Sequence, residues 1–303
     1  MPGTVLVTGG AGFIGTAVVR ALRAAGYRIA SVDRVAPRDA DVAAIVGDLG
    51  DPDVRCEAVA EGTSAIVHLA AATSVIGSIS APARVFDDNV AVTGALLELA
   101  RERGVRQFVL ASTNAVVGSA ADGITTERSP LAPLTPYGGT KAACEMLLSA
   151  YTGSYDLRAC ALRLTNVYGV GMHTKDSLVA RLMRAALSGA TIQLYGDGGQ
   201  RRDFVDVADV VAAVQLALEG AWTGTVLIGS GQSSSVLDVV DAARRATGKD
   251  LPVEHVPPRE GEMRAVEVDI TRARALGFEP HRSLDEGLAA LWTEVRETWD
   301  GAA

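Results

Sequence analysis

A glycine-rich octet, Thr8 to Gly15 (TGGAGFIG), follows the short apolar run Val5-Leu6-Val7 and opens directly into a second apolar stretch. A strand that breaks into glycines and re-emerges as a helix brings bare backbone amides up to a pyrophosphate. In that pattern Gly9 permits the tight turn, Gly12 lets the chain approach the phosphates, and Gly15 lets the helix lie close on the strand. The helix N-terminus then adds unpaired N–H groups and a partial positive charge. Asp33 ends the next apolar run, 28–32, near the offset at which a carboxylate accepts hydrogen bonds from an adenosine ribose. The first third of the chain is therefore expected to hold a dinucleotide.

The 303 residues can bury one large core or two unequal ones, and no apolar run approaches the length of a membrane span. A formal charge of -8 argues against nucleic acid as the main partner, although a local basic pocket could still take a small anion. The first strand is expected to begin almost at Met1, and no signal or transit peptide is expected ahead of it. Cys56, Cys144 and Cys160 lack metal-ligand spacing and leave an odd thiol, so they are expected to be small buried residues of a reducing compartment, the cytoplasm. His68, His173, His255 and His281 are scattered and are expected to be structural or surface residues, with no metal site.

Up to about residue 165, short apolar runs alternate with longer amphipathic stretches. Strands are predicted at 4–8, 27–33, 43–46, 65–69, 106–111 and 158–164, and helices at 13–25, 52–61, 84–103 and 137–152. In the helix at 84–103, Val85, Val92, Leu96, Leu99 and Arg103 are spaced along the 3.6-residue period. Such alternation predicts an α/β fold with a doubly wound parallel sheet, helices covering both faces. Beyond 165 the pattern loosens into helices near 176–188, 206–219, 235–247 and 283–298 and strands near 191–195 and 225–228. The expected organisation is a dinucleotide-binding domain over 1–165, to which later segments return, and a smaller mixed α/β substrate-binding part over 166–303. Leu288, Trp292 and Trp299 are expected on the buried side of a closing helix.

Tyr137 and Lys141 stand four apart on one helix face. A tyrosine ordinarily titrates near ~10, so use as a base near neutrality requires about 4 kcal/mol of added stabilisation of the phenolate. Lys141 and a positively charged nicotinamide ring are expected to supply it. Ser112 and Thr113 end the apolar run Phe108-Val109-Leu110 at a carboxyl strand edge, where such sheets place ligands. A hydroxyl there could hydrogen-bond the substrate and share its proton with Tyr137. Asp33 favours NAD over a 2′-phosphorylated coenzyme, whereas Arg34 beside it leaves NADP open.

These residues together resemble the extended short-chain dehydrogenase/reductase family, in its branch of NAD-dependent nucleotide-sugar epimerases and dehydratases. The resemblance runs through TGGAGFIG, Asp33, GDL at 47–49, HLAA at 68–71, Asn89-Val90, ASTNAVVG at 111–118 and YGGTK at 137–141. It continues through RLTNVYG at 163–169, GDGGQRRDF at 196–204 and REGE at 259–262. It implies a Rossmann-like fold with Gly9, Gly12, Phe13 and Ile14 around the pyrophosphate and Asp33 on the adenosine ribose. By the same resemblance, Asp48 and Leu49 flank the adenine, and Ala70 and Ala71 line the path to the nicotinamide. Thr113, Tyr137 and Lys141 would be catalytic, with Tyr137 and Lys141 also touching the coenzyme. Thr113, Asn166, Arg202, Arg259 and Glu262 would hold a UDP- or TDP-linked sugar. A cytoplasmic homodimer, formed by the helices near 84–103 and 137–152, is also implied.

Within that branch the 4,6-dehydratases carry an Asp-Glu pair directly after the active-site threonine, where this chain has Asn114 and Ala115. Neither can donate and accept the protons that water loss requires. A 4-epimerase needs no such pair, and is the expected activity. A 4-keto-sugar reductase using NAD(P)H would employ the same three residues, and a non-catalytic dinucleotide sensor would need none of them. Val117, Thr165 and Val170 depart from the family pattern in segments that lie near the sugar in relatives.

Overall fold

The computed structural model describes residues 3–37, 43–118, 123–173, 175–257 and 267–299. Seven strands form its main sheet: β1 (Thr4–Thr8), β2 (Arg28–Asp33), β3 (Ala43–Val46), β4 (Thr63–His68), β5 (Gln107–Thr113), β6 (Arg158–Leu164) and β7 (Gly224–Ile228). They stand in the order β7-β6-β5-β4-β1-β2-β3, every pair parallel. Parallel strands are covered on both faces, which is why their sequences are almost continuously apolar. Residues alternate between the two covers. Val5, Val7 and Val109 join Val18 and Leu22 of α1 (Phe13–Ala24) on one side. Leu6, Phe108 and Leu110 join Leu96 and Leu97 of α2 (Val92–Glu102) and Leu148 of α3 (Pro136–Ser154) on the other.

This is the doubly wound Rossmann-like architecture expected. The chain order reverses around β1, and the crevice between β1 and β4 opens at their carboxyl ends, where α/β sheets bind ligands. β7 and the helix α5 (Val207–Glu219) belong to this larger layer, since β7 pairs with β6 and α5 contributes Val210 and Val214 to the α1 side of the core.

Other elements form a second, smaller cluster. α4 (Leu178–Ser188), α6 (Val236–Thr247) and α7 (Leu284–Thr298) bury Leu182, Met183, Val240, Leu291 and Trp292 together, and Phe13 at the start of α1 reaches into the same cluster. Ser235 with Asp238, and Ser283 with Glu286, form capping boxes that fix where α6 and α7 begin. Leu288 and Trp292 are buried as expected, whereas Trp299 lies at the C-cap of α7 and is half-buried. Arg201–Asp206 is the centre of a small sheet, pairing in parallel with Asn166–Tyr168 and antiparallel with Ser233–Ser235. Among the described residues no helix is long and apolar enough to cross a membrane.

One predicted helix is really three segments. Instead of running continuously over 84–103, the chain forms Pro82–Phe86, a π turn at Asp87–Ala91, and then α2. The wider turn shifts the phase of the side chains, and Asn89 within it uses its carboxamide across the site rather than within its own helix.

Candidate active site

At the end of β1 the chain turns at Gly9, whose φ of +71° is costly for residues with a side chain. The turn has no room for one either. A Cβ on Gly9 would come within 2.7 Å of the Ala70 amide nitrogen, and one on Gly15 within 2.0 Å of the Gly9 carbonyl. Gly12 is exposed and caps α1 without a side chain, and no acidic residue occupies the first turn of that helix. Free amides at a helix N-terminus that carries no carboxylate suit a pyrophosphate. These residues therefore fit a dinucleotide, with Phe13 buried behind the turn and Ile14 half-buried beside it.

Asp33 at the end of β2 accepts from Ala11 N at 3.0 Å, so the glycine turn and the carboxylate form one unit. Arg34 points elsewhere. It meets Asp48 at 3.0 and 3.2 Å and Asp88 at 2.7 Å. The Gly50 amide and this guanidinium hold the Asp48 carboxyl below its usual range. The guanidinium left open as a partner for a 2′-phosphate is thus clasped between two carboxylates. Leu49 is buried next to them.

Across the crevice Ala70 N donates to Thr8 Oγ1 at 3.2 Å. Ala72 is held by Asn89, which accepts from Ala72 N at 2.8 Å and donates to Ala72 O at 3.2 Å. Asn89 also donates to Thr140 Oγ1 at 3.0 Å, and Thr140 donates to Tyr137 O at 2.8 Å. The segment containing Ala70 and Ala71 is thereby tied to the helix carrying Tyr137. His68 is sealed below, with Nδ1 2.7 Å from Thr8 Oγ1 and Nε2 3.1 Å from Thr93 Oγ1. Burial, with Lys141 nearby, pushes its pKa down to about 3, so it is a neutral structural imidazole.

The Thr113 hydroxyl faces the Tyr137 phenol and pulls its pKa down. Burial pushes the Tyr137 phenol up to about 12, outweighing the downward pull of Thr113. Lys141, 3% exposed, donates from Nζ to the Ala111 carbonyl at 2.9 Å. Burial lowers its pKa, against the opposing effects of Cys144 and Glu145. The lowering of Tyr137 expected from Lys141 and the nicotinamide ring together is therefore not supplied by the side chains alone. The balance on the phenol is upward, and a further positive charge is needed to reverse it.

Ser112 and Thr113 separate cleanly because adjacent strand residues face opposite ways. Ser112 Oγ donates to Glu145 Oε1 at 2.5 Å, and Glu145 is paired in turn with Arg163 at 2.8 Å. Ser112 is therefore structural, and Thr113 is the hydroxyl beside Tyr137. Asn114 and Ala115, both half-buried, follow in a short 3-10 turn.

On the far side of the crevice a cavity of about 210 Å³ is lined by Asn166, Arg202, Phe204, Gln193 and Tyr195. Asn166 donates to Asp203 O at 2.8 Å, and Arg202 Nη1 donates to Arg201 O at 2.8 Å. Arg201 and Arg202 lie on a strand. Arg259 and Glu262 lie outside the described residues. Thr165 donates to the fully buried Asp203 at 2.7 Å, and Val117 packs with Val116 and Ala142, while Val170 is exposed. Cys144 and Cys160 are buried as expected, but Cys56 is exposed. It lies on the short helix Pro52–Ala58, whose buried residue is Ala58. Among the described residues no group of His, Cys, Asp and Glu could hold a metal ion.

The arrangement has close relatives among known proteins. The model of the NAD dependent epimerase/dehydratase family matches residues 5–229. A UDP-glucose 4-epimerase of Mycolicibacterium smegmatis is 35% identical, over 94% of this chain and 96% of that protein. A dTDP-glucose 4,6-dehydratase of Streptomyces niveus is 34% identical, over 97% of this chain and 94% of that one. Among solved structures, MoeE5 in complex with UDP-glucuronic acid and NAD is 36% identical with a TM-score of 0.91, covering 98% of this chain and 100% of its own. The chain belongs to the NAD dependent epimerase/dehydratase family and is an NAD-dependent enzyme of the extended short-chain dehydrogenase/reductase type.

Proposed function

We propose that the protein is a nucleotide-sugar 4-epimerase that keeps NAD bound between turnovers, acting on a UDP- or TDP-linked sugar as a cytoplasmic homodimer. One observation carries the reading: Thr113, Tyr137 and Lys141 converge at the carboxyl edge of β5, and the next two residues, Asn114 and Ala115, offer no acid/base pair. A relative named as a dehydratase is nearly as similar as one named as an epimerase. The choice between them rests on those two side chains.

Tyr137 is the base. It takes the proton of the sugar C4 hydroxyl while Thr113 holds that oxygen, and it returns the proton after the keto-sugar has turned over in the pocket. The bound coenzyme supplies hydride acceptance at C4, hydride return to the opposite face, and a positive ring charge. Lys141, in a water-free setting, holds the nicotinamide ribose and adds its own charge toward the phenol. Gly9, Gly12, Phe13 and Ile14 surround the pyrophosphate, Asp33 binds the adenosine ribose, Asp48 and Leu49 border the adenine, and Ala70 and Ala71 form the nicotinamide wall. Asn166 and Arg202, with Arg259 and Glu262, hold the nucleotide of the substrate. The pairing of UDP-glucuronic acid with NAD in MoeE5 supports a UDP-sugar in this cavity. Exposed Phe86 and Met146, on the segments expected to meet a twofold mate, support the dimer.

Tyr137→Phe tests the chemistry. Incubated with UDP- and TDP-sugars and resolved chromatographically, the parent should convert a sugar to its C4 epimer while the variant does not, with NAD released from both on denaturation. Net consumption of added NADH or NADPH by a protein that releases no coenzyme would overturn the epimerase reading.

A further inference from the structure

We infer that Ser78 is a positioning residue that fixes the catalytic tyrosine through its backbone; this rests on the reading of Tyr137 as the base. Tyr137 is the second residue of α3. Pro136 before it has no N–H, and the Thr135 cap accepts from Gly138 N at 3.2 Å. The Tyr137 amide is therefore one of the donors a helix start leaves without an intrahelical acceptor. Its partner comes from the other wall of the site: Tyr137 N donates to Ser78 Oγ at 3.1 Å. The same hydroxyl donates to Val75 O at 2.6 Å, so its one proton and an acceptor lone pair are both used.

The element bearing Ser78 has little else to hold it. The helix Val75–Ser80 leaves Ile76 and Ile79 64% and 65% exposed, and its buried residue is Ser78 itself, at 0%. Ser74 caps that helix by accepting from Gly77 N at 3.0 Å. It follows directly on the segment whose Ala70 and Ala72 are tied to Thr8 and Asn89. One sealed hydroxyl thus couples the nicotinamide wall to the first turn of α3. With Ser78→Ala the Tyr137 amide is left buried and unpaired, and the first turn of α3 gains freedom at the residue whose phenol must meet Thr113 and the sugar.

The test compares the parent, Ser78→Ala, Ser78→Thr, Ser78→Cys and Tyr137→Phe, measuring kcat, KM and the NAD released per chain on denaturation. Because misplacing a reacting group by about 1 Å costs on the order of 100-fold, Ser78→Ala should lower kcat by about 10- to 100-fold. KM and the NAD content should stay at parental values, and Ser78→Thr, which keeps the hydroxyl, should recover most of the rate. A residue that merely stabilises the fold would instead lower the melting temperature and the NAD content, leaving kcat per bound NAD unchanged. Should Ser78→Ala fail to fold, Ser78→Cys decides, because sulfur is a weak acceptor and that variant should turn over more slowly than Ser78→Thr. Parental kcat per bound NAD in Ser78→Ala, or in Ser78→Cys where that decides, overturns the inference. If Tyr137→Phe is inactive while Ser78→Ala is parental, only the role of Ser78 fails. An active Tyr137→Phe removes the base assignment itself.

Discussion

Replacing Glu145 by glutamine keeps the outline of the side chain but takes a negative charge out of a place closed to water. The Glu145 side chain is 1% exposed and that of Arg163 is 4%. Arg163 Nε lies 3.0 and 3.2 Å from the two carboxylate oxygens and Nη2 lies 2.8 Å from Oε2, while Ser112 Oγ donates from a third direction. A carboxylate accepts on every side, whereas a carboxamide offers one oxygen and an NH₂ that must face the donors of Arg163 or Ser112. The variant therefore keeps a buried guanidinium without a counter-charge. Removing one member of a buried pair costs about 3–5 kcal/mol, far more than the ~1 kcal/mol at most for an exposed pair. Arg245 and Asp285, 60% and 57% exposed at 2.7 Å, provide the control. In urea unfolding followed by circular dichroism, Glu145→Gln should lose about 3–5 kcal/mol at unchanged m, and Arg245→Ala less than about 1 kcal/mol. Glu145→Leu with Arg163→Met should regain most of that loss. A loss below about 1 kcal/mol for Glu145→Gln would refute the reasoning, because it would mean that the pair is solvated.

Gly15→Ala should yield protein that no longer retains NAD, since the new Cβ would lie 2.0 Å from a backbone carbonyl that cannot swing aside. Gly153→Ala, on the same kind of element but with nothing within 4 Å of the added carbon, should retain it, as read by coenzyme absorbance after denaturation. Acid should destabilise the fold through His68. Its pKa is about 3 when folded, against 6.5 for an ordinary imidazole, so the unfolded chain binds the extra proton. The resulting stability is complete above pH 6.5 and is lost as pH falls toward 3, about 5 kcal/mol at 1.36 kcal/mol per decade. His68→Gln should flatten that part of a stability profile measured by urea unfolding from pH 7 to pH 4.

The glycine turn, Asp33 and all seven main strands were legible because a buried parallel strand writes an apolar run, and a phosphate turn writes glycines at fixed spacing. The roles of Ser112 and Thr113 were half legible: strand alternation puts them on opposite faces, but which face holds the site depends on Glu145 and Arg163 from other elements. The π turn at Asp87–Ala91 left little trace, since one wide turn barely alters an apolar period over so short a stretch. Arg201–Asp206 was not among the predicted strands because a small, half-exposed strand need not be apolar. Ser78 carried no signal, as its acceptor role exists only once residue 137, 59 positions later, is folded against it. For Tyr137 the side chains alone raise the phenol, so the expected lowering depends on the nicotinamide charge as well as on Lys141. Spacing displays the lysine, but the dehydrating effect of close packing on the phenol is a property of three dimensions.

The route of the chain through its two layers limits how such a molecule can be remade. It quits the large sheet after Leu164, visits the small one at Asn166–Tyr168 and Arg201–Asp206, comes back as Gly224–Ile228, departs again through α6, and finally lays Glu267–Val268 against Ile124–Thr125. Severing it at residue 165 would strip the edge strand Gly224–Ile228 from the large sheet and part Glu267–Val268 from Ile124–Thr125. Diversification has to proceed by altering side chains in place or by lengthening loops at the rim.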